Sequence, residues 1–363
     1  MRNETRDPAN PATWPDSPPA TYAAAGVDTS QADLGVDALV EVLKRIEPGR
    51  PSRVVPLPRH YAAVLRVTDT LGIALSTDGV GSKLVVAERA DRLETVGIDC
   101  IAMNVNDVVC VGAEPLAVLD YLAVEQADPA ALARIAEGLK VGAEAAGVEI
   151  PGGELAIIPE LIRGHPSPQG FDLCASCFGT VDLDAIVTGA ACQPGDALIG
   201  LPSSGLHSNG YTLARRVLEP LGLEARPPEL GGASVADALL EPTVIYVRAA
   251  LDLLRSDVAV HGLAHITGGG LLNLTRLSDS VGWRVDAPLP IPAVCELIGR
   301  LGDVPRAELW EVFNMGIGFV CAVPAERADD AVALLARHHP GSAHIGEVTD
   351  RAGVVEVEGL ELR

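Results

Sequence analysis

The sequence predicts an α+β protein made of two α/β domains. Three observations carry that expectation. Strand-like and helix-like stretches alternate along the chain, 363 residues exceed one domain at roughly 100–200 residues each, and the pattern restarts around residues 182–196. The boundary is set near 185: residues 1–20 form an arm, 21–185 a first domain and 186–363 a second. Hydrophobic residues are 48% of the chain and aromatics only 3%, so the core must be built from Ala, Val, Leu and Ile.

The elements follow in order. Residues 1–20 are polar, rich in Pro, Asn and Asp, and without periodicity, which predicts disorder. DLGVDALVEVLKRIE (33–47) places Leu34, Ala38, Val42, Leu43 and Ile46 at helical spacing, and EPGRPS ends it. YAAVLRV and LGIALSTD read as a strand pair. ETVGIDCIAMNVNDVVCVG (94–112) reads as a buried helix with few polar residues, and AVLDYLAVE as a strand. DPAALARIAEGLKVGAEAAGV is an amphipathic helix with Asp128 as N-cap, Pro129 in the first turn and Gly147 near its end. FDLCASCFGTV is a further strand. In the second half ALIGLP reads as strand, and GYTLARRVLEPL, DALLEPTVIYVRAALDLLR and NLTRLS as helical. VFNMGIGFVCAV reads as strand, DDAVALLARHH as helix, and AHIGEVTD as the start of a closing strand.

Composition narrows the function. The net charge of −22 argues against nucleic-acid backbones and anionic membranes, both of which need clustered Lys and Arg. A small phosphorylated substrate needs only a local positive pocket or a bound cation. No stretch reaches the ~20 apolar residues that span a bilayer, and the N-terminus lacks a signal peptide's apolar region, so a cytoplasmic protein is expected. The seven cysteines read as reduced, buried thiols. Cys174 and Cys177 lie in a strand pattern that sends them to opposite faces.

Five segments carry chemistry. Ser76-Thr77-Asp78-Gly79-Val80-Gly81-Ser82-Lys83 combines a carboxylate for Mg²⁺, glycines that let backbone N–H groups approach a phosphate, and a lysine. It does not match the Walker A spacing, and by itself it is equally a hairpin turn with a surface lysine. Asn106-Asp107 sits in the apolar helix, where a carboxylate must be paired, hydrogen-bonded or metal-bound. Structural capping or ion pairing is the alternative. Ser203-Ser204-Gly205-Leu206-His207-Ser208-Asn209-Gly210 leads from a strand into a helix and forms an anion-site candidate in which His207 donates. Ala264-His265-Ile266-Thr267-Gly268-Gly269-Gly270 reads as tight packing at a helix start or as a second ligand loop. Gly152-Gly153-Glu154 offers flexible backbone and one more carboxylate.

STDGVGSK, TVGIDCIAMNVNDVVCVGAEPLAVLDYLAVE, GLPSSGLHSNGYTLARRVL, LLEPTVIYV, AHITGGG and FNMGIGF, in this order, resemble the aminoimidazole ribonucleotide synthetase family. The resemblance runs from about Thr21 (TYAAAGVD) to about Val348 (AHIGEV), and TVGIDCIAMNVND is most similar to its archaeal-type branch. It implies an ATP-binding N-terminal domain whose sheet completes a barrel across a homodimer, with a C-terminal domain that supplies the substrate cleft. It also implies ATP-dependent closure of formylglycinamidine ribonucleotide to aminoimidazole ribonucleotide, with ADP and phosphate released, in purine biosynthesis. ATP and Mg²⁺ are the implied cofactors, with K⁺ a further one to test.

By position, the resemblance assigns Mg²⁺ to Asp78 and Asp107. It assigns ATP to Asp78, Gly79, Gly81, Lys83, Asn106 and Asp107. Substrate contacts fall to Glu154, Ser204, Gly205, His207, Ser208, Asn209, Thr267, Gly268 and Gly269, and catalysis to His207, Asp78 and Lys83. Departures from the family pattern stand at Leu155, where a hydroxyl is usual, at Ile157, where bacterial members carry glutamate, and across Pro48–His60. They keep two alternatives open: another ATP-dependent member of the superfamily, or a non-catalytic nucleotide-binding paralogue. A selenophosphate synthetase is disfavoured because the first cysteine is Cys100.

Overall fold

The computed structural model describes Thr21 and residues 29–362. The expected arm at 1–20 and most of TYAAAGVD lie outside the described residues. The first half contains α1 (Thr29–Leu43), β1 (Val54–Val55), β2 (Ala63–Arg66), β3 (Leu71–Gly79), α2 (Lys83–Ala90), α3 (Val96–Cys110), β4 (Glu114–Val124), α4 (Pro129–Ala146), β5 (Glu149–Ile157) and β6 (Phe171–Asp182). Its six strands form one sheet in the order β1-β2-β3-β6-β4-β5, antiparallel except for the β4–β5 pair.

The second half contains β7 (Ala197–Pro202), α5 (Tyr211–Leu218), α6 (Val235–Leu240), α7 (Val247–Leu254), β8 (Gly262–His265), β9 (Gly282–Val285), α8 (Ala293–Gly302), α9 (Arg306–Val312), β10 (Ile317–Val323), α10 (Ala328–Leu335), β11 (Ala343–Thr349), β12 (Val355–Val357) and β13 (Leu360–Leu362). Its seven strands form a second sheet, β13-β12-β9-β11-β7-β10-β8. The architecture is thus α+β with two sheets, and no described helix is long and apolar enough to cross a membrane.

Helix α3 is the axis of the first half. It packs on β3, β6 and α4, and nearly all of it is buried. It touches α4 closely because Gly97 and Gly138 lack side chains: a Cβ on Gly138 would lie 2.1 Å from the Glu94 carbonyl oxygen. Helix α4 has the expected Asp128 cap, whose carboxylate accepts from Ala130 N–H at 2.9 Å, and Gly147 ends it in a left-handed turn.

Four expectations change. Lys83 is not at the tip of a turn but opens α2. Gly152-Gly153-Glu154 is not a flexible loop but part of β5, at the sheet edge. DALLEPTVIYVRAALDLLR is two helices, because Pro242 interrupts the run between α6 and α7. NLTRLS falls in a 3₁₀ segment, Gly270–Arg276, and ends beyond it. The seven cysteines are free thiols, with Cys174 half-buried and Cys177 buried.

Candidate active site

Strand β3 and helix α3 each bring one carboxylate to the same place. Asn104 locks the end of β3 to α3: its Oδ1 accepts Asp78 N–H at 2.9 Å, and its Nδ2 donates to the Asp78 carbonyl at 3.1 Å. Asp78 Oδ1 accepts Gly79 N–H at 2.7 Å. Asp107 lies one helical turn beyond Asn104, and its Oδ1 lies 2.9 Å from Nδ1 of the buried His265. Burial first, and then the charge of Asp107, raise the Asp78 carboxyl above the usual carboxylate range. Gly79 N–H, His265 and Arg276 oppose that shift. Two carboxylates 29 positions apart in sequence therefore share one electrostatic environment.

Beside them lie three residues that the sequence did not single out, Arg276, Tyr61 and Asn273. Arg276 lies 5.0 Å over the Tyr61 ring, and Tyr61 OH donates to the Asn273 carbonyl at 2.9 Å. Asn273 pins the glycine loop, accepting Thr267 N–H at 2.7 Å and donating to the Gly268 carbonyl at 3.0 Å. Asn209 Oδ1 lies where Gly268 leaves room, 3.3 Å from the position of an added Cβ. His60 is depressed to about 4 by burial and then by Arg276. Thr267, Gly268 and Asn209 thus meet at one place.

Asp120 adds a third carboxylate. Cross-strand register puts it on the same sheet face as Asp78, since both pair with Ala175. A Cβ on Gly153 would lie 2.3 Å from Asp120 Oδ1, so Gly153 makes room for that side chain. Glu154 points to the other face and is exposed.

Lys83 and His207 do not take the expected places. Lys83 is completely buried, with Nζ 2.8 Å from Asp99 Oδ2, 2.7 Å from the Glu241 carbonyl and 3.1 Å from the His207 carbonyl. Its ammonium donors are spent inside the protein, so no phosphate reaches it in this arrangement. Asp99 also accepts Thr243 N–H at 2.8 Å and Thr243 Oγ1 at 2.6 Å, which makes this network a bolt between the two halves. His207 is 1% exposed and has a left-handed φ of 60°. Burial first, then His265 and Lys83, push its imidazole well below the ordinary range, so the ring is a neutral, enclosed group rather than an open proton donor.

Several neighbouring polar groups are also committed, although His207 Nδ1 and Asn209 Nδ2 are buried without a partner. Ser204 Oγ donates to the Pro242 carbonyl at 2.6 Å, the Gly205 carbonyl accepts from Asn314 at 2.8 Å, and Ser208 Oγ meets Thr243 Oγ1 at 3.0 Å. Asn106 clamps the loop after α6, through Val244 and Tyr246.

Comparison with known proteins now decides the family. Residues 59–181 match the family described as "AIR synthase related protein, N-terminal domain", and residues 193–358 match its C-terminal counterpart. The phosphoribosylformylglycinamidine cyclo-ligase of Methanothermobacter thermautotrophicus is 48% identical over 93% of this chain and 97% of its own. The chain belongs to the phosphoribosylformylglycinamidine cyclo-ligase family.

A second family member, from Thermococcus gammatolerans, is 46% identical over 94% of this chain and 99% of its own. Among solved structures, "AaThiL complexed with AMPPCP and TMP" superposes with a TM-score of 0.64 at 18% identity, covering 90% of this chain and 93% of that one. "Hydrogenase Maturation Protein HypE in complex with ATP" gives 0.58 at 24% identity, covering 82% and 84%. At these identities the two structures share the fold.

Proposed function

We propose that this chain closes the imidazole ring of formylglycinamidine ribonucleotide, consuming ATP and yielding aminoimidazole ribonucleotide, ADP and phosphate. The reading rests on cyclo-ligase relatives that are 48% and 46% identical over nearly the full chain. The observation that carries it to a site is the convergence of Asp78 and Asp107. The donor set fits Mg²⁺: both groups offer oxygen, and two coupled carboxylates are costly to hold together without a cation. Among the described residues no three acidic, His or Cys side chains form a complete metal cage, so phosphate oxygens and water would fill the remaining positions. Bound there, Mg²⁺ would offset the charge of the triphosphate. No residue is assigned to K⁺.

In the reaction, the formamide oxygen attacks the γ-phosphorus and the bond to ADP breaks. The amidine nitrogen then bonds to the same carbon, its proton leaves, and the phosphorylated oxygen departs as phosphate. The protein's share is placement and charge. Asp78 and Asp107 fix the nucleotide end, Arg276 supplies positive charge at the wall, and Thr267, Gly268 and Asn209 shape the substrate side. The first half, to about residue 185, serves the nucleotide, and the second contributes the substrate wall.

The outer face of the first sheet supports a homodimer. Leu119 and Tyr121 are 40% and 39% exposed there, and no described element covers them. The reading places the same face of a second copy on it, closing a barrel. A soluble, cytoplasmic setting accords with this metabolic role.

The test is turnover of purified protein with formylglycinamidine ribonucleotide, ATP and Mg²⁺. Aminoimidazole ribonucleotide and ADP are expected in equal amounts, and Asp78→Asn is expected to lose at least ~10²-fold in rate, the scale of a lost preorganised charge contact. ATP binding without product would instead favour the non-catalytic paralogue that Leu155 and Ile157 raise.

A further inference from the structure

His265 has no step of its own in the ring closure described above, yet its ring holds Asp107. It ends β8, is fully buried, and contacts polar side chains through both ring nitrogens. Nδ1 is 2.9 Å from Asp107 Oδ1, and Nε2 is 3.4 Å from Asn106 Nδ2. Which nitrogen bears the proton is decided one residue away.

The Asn106 amide is oriented by two backbone groups of the loop between α6 and α7. Its Oδ1 accepts Tyr246 N–H at 2.9 Å, and its Nδ2 donates to the Val244 carbonyl at 2.9 Å. Turning the amide over would set NH₂ against N–H and oxygen against oxygen in a buried site. Nδ2 is therefore fixed as the atom facing His265, and an amide NH₂ can only donate. It bonds Nε2 only when Nε2 carries no proton. The single ring proton then sits on Nδ1 and is donated to Asp107.

We propose that His265 is a positioning residue, an Nδ1–H imidazole set by Asn106, which holds Asp107 Oδ1 so that Oδ2 is presented to the divalent cation of the nucleotide. The proposal rests on the reading of Asp107 as a cation ligand. Asp107 Oδ2 makes no hydrogen bond among the described residues. The chain of contacts runs from Val244 and Tyr246 through Asn106 and His265 to Asp107. The aim of a first-half carboxylate thus depends on how the second half is seated. Groups that orient metal-binding side chains in this way typically govern affinity by ~10–100-fold.

Two measurements test it on the full chain. The first is long-range ¹H–¹⁵N correlation on protein labelled at its eight histidines, with the His265 signals identified by their loss in His265→Asn. Proton on Nδ1 alone is expected. Proton on Nε2, with Nδ1 bare, overturns the proposal. The second is titration with Mn²⁺ and ATP, read by the electron paramagnetic signal of free Mn²⁺. His265→Ala should weaken binding by about 10–100-fold. His265→Asn, whose amide nitrogen falls near the Nδ1 position, should recover most of the loss.

Wild-type Mn²⁺ binding in His265→Ala overturns the positioning role whatever the tautomer. If the alanine variant does not fold, as judged by circular dichroism, the asparagine variant decides: weak binding there counts against the proposal. The tautomer and the Mn²⁺ affinity are read without turnover. A failure to form aminoimidazole ribonucleotide would therefore sink the ring-closure reading and leave the His265 result to stand or fall on its own.

Discussion

At the scale of single residues, Gly153 shows how one side chain's absence serves another. Asp120 Oδ1 occupies the space a Cβ at 153 would take, 2.3 Å away. Gly153→Ala is expected to cost about 1–3 kcal/mol, as overpacking does, in the urea midpoint. Adding Asp120→Ala should recover only part of that loss, because the same Cβ would lie 2.7 Å from the Asp120 carbonyl oxygen. Purely additive losses would show that the two residues do not compete for space. Asp107 stood out in the sequence because a carboxylate inside an apolar helix must have a partner, and Asp78 because it heads a glycine-rich turn that ends in a lysine. Asp120 gave the same signal as Asp107 in AVLDYLAVE, but strand alternation hid it as an ordinary outward residue. Asn104, Arg276 and Tyr61 were not legible, because each owes its role to a partner distant in sequence, and His265 was seen only as part of the AHITGGG segment, without its contact to Asp107.

At the scale of elements, α2 and α3 are tied to the second half by Lys83 and Asp99. Both side chains are wholly buried, so removal of one leaves the other charged and unpaired. Lys83→Ala is expected to destabilise the protein by about 3–5 kcal/mol, measured by urea unfolding. A variant of native stability that has lost ATP affinity would return Lys83 to the nucleotide. The sequence misplaced this lysine because two glycines and a lysine after a strand have the composition of a phosphate loop. The helical spacing that follows, SKLVVAERA, is short and weakly amphipathic. Helix α4 was legible because its periodicity and its Asp128 cap act locally, β6 because its side chains alternate, and α3 because its apolar run is long and nearly unbroken. The break at Pro242 and the 3₁₀ segment depend on the loops packed around Asp99 and Asn273.

At the scale of the whole molecule, the two sheets and their helices follow the expected alternation, while no described element covers Leu119 and Tyr121 on the outer face of the first sheet. Apolar residues there read as ordinary strand alternation, and only their exposure, 40% at Leu119 and 39% at Tyr121, marks them as unpartnered. Leu119→Glu combined with Tyr121→Lys should shift the protein from dimer to monomer in sedimentation velocity. A wild-type protein that sediments as a monomer would remove the barrel from the account.

The central claim is that the oxygen expelled on ring closure leaves as phosphate. Formylglycinamidine ribonucleotide labelled with ¹⁸O in its formyl group, turned over with ATP and Mg²⁺, tests it by mass spectrometry. One ¹⁸O per phosphate released is the predicted result. Label found in water, or unlabelled phosphate beside aminoimidazole ribonucleotide, would contradict it.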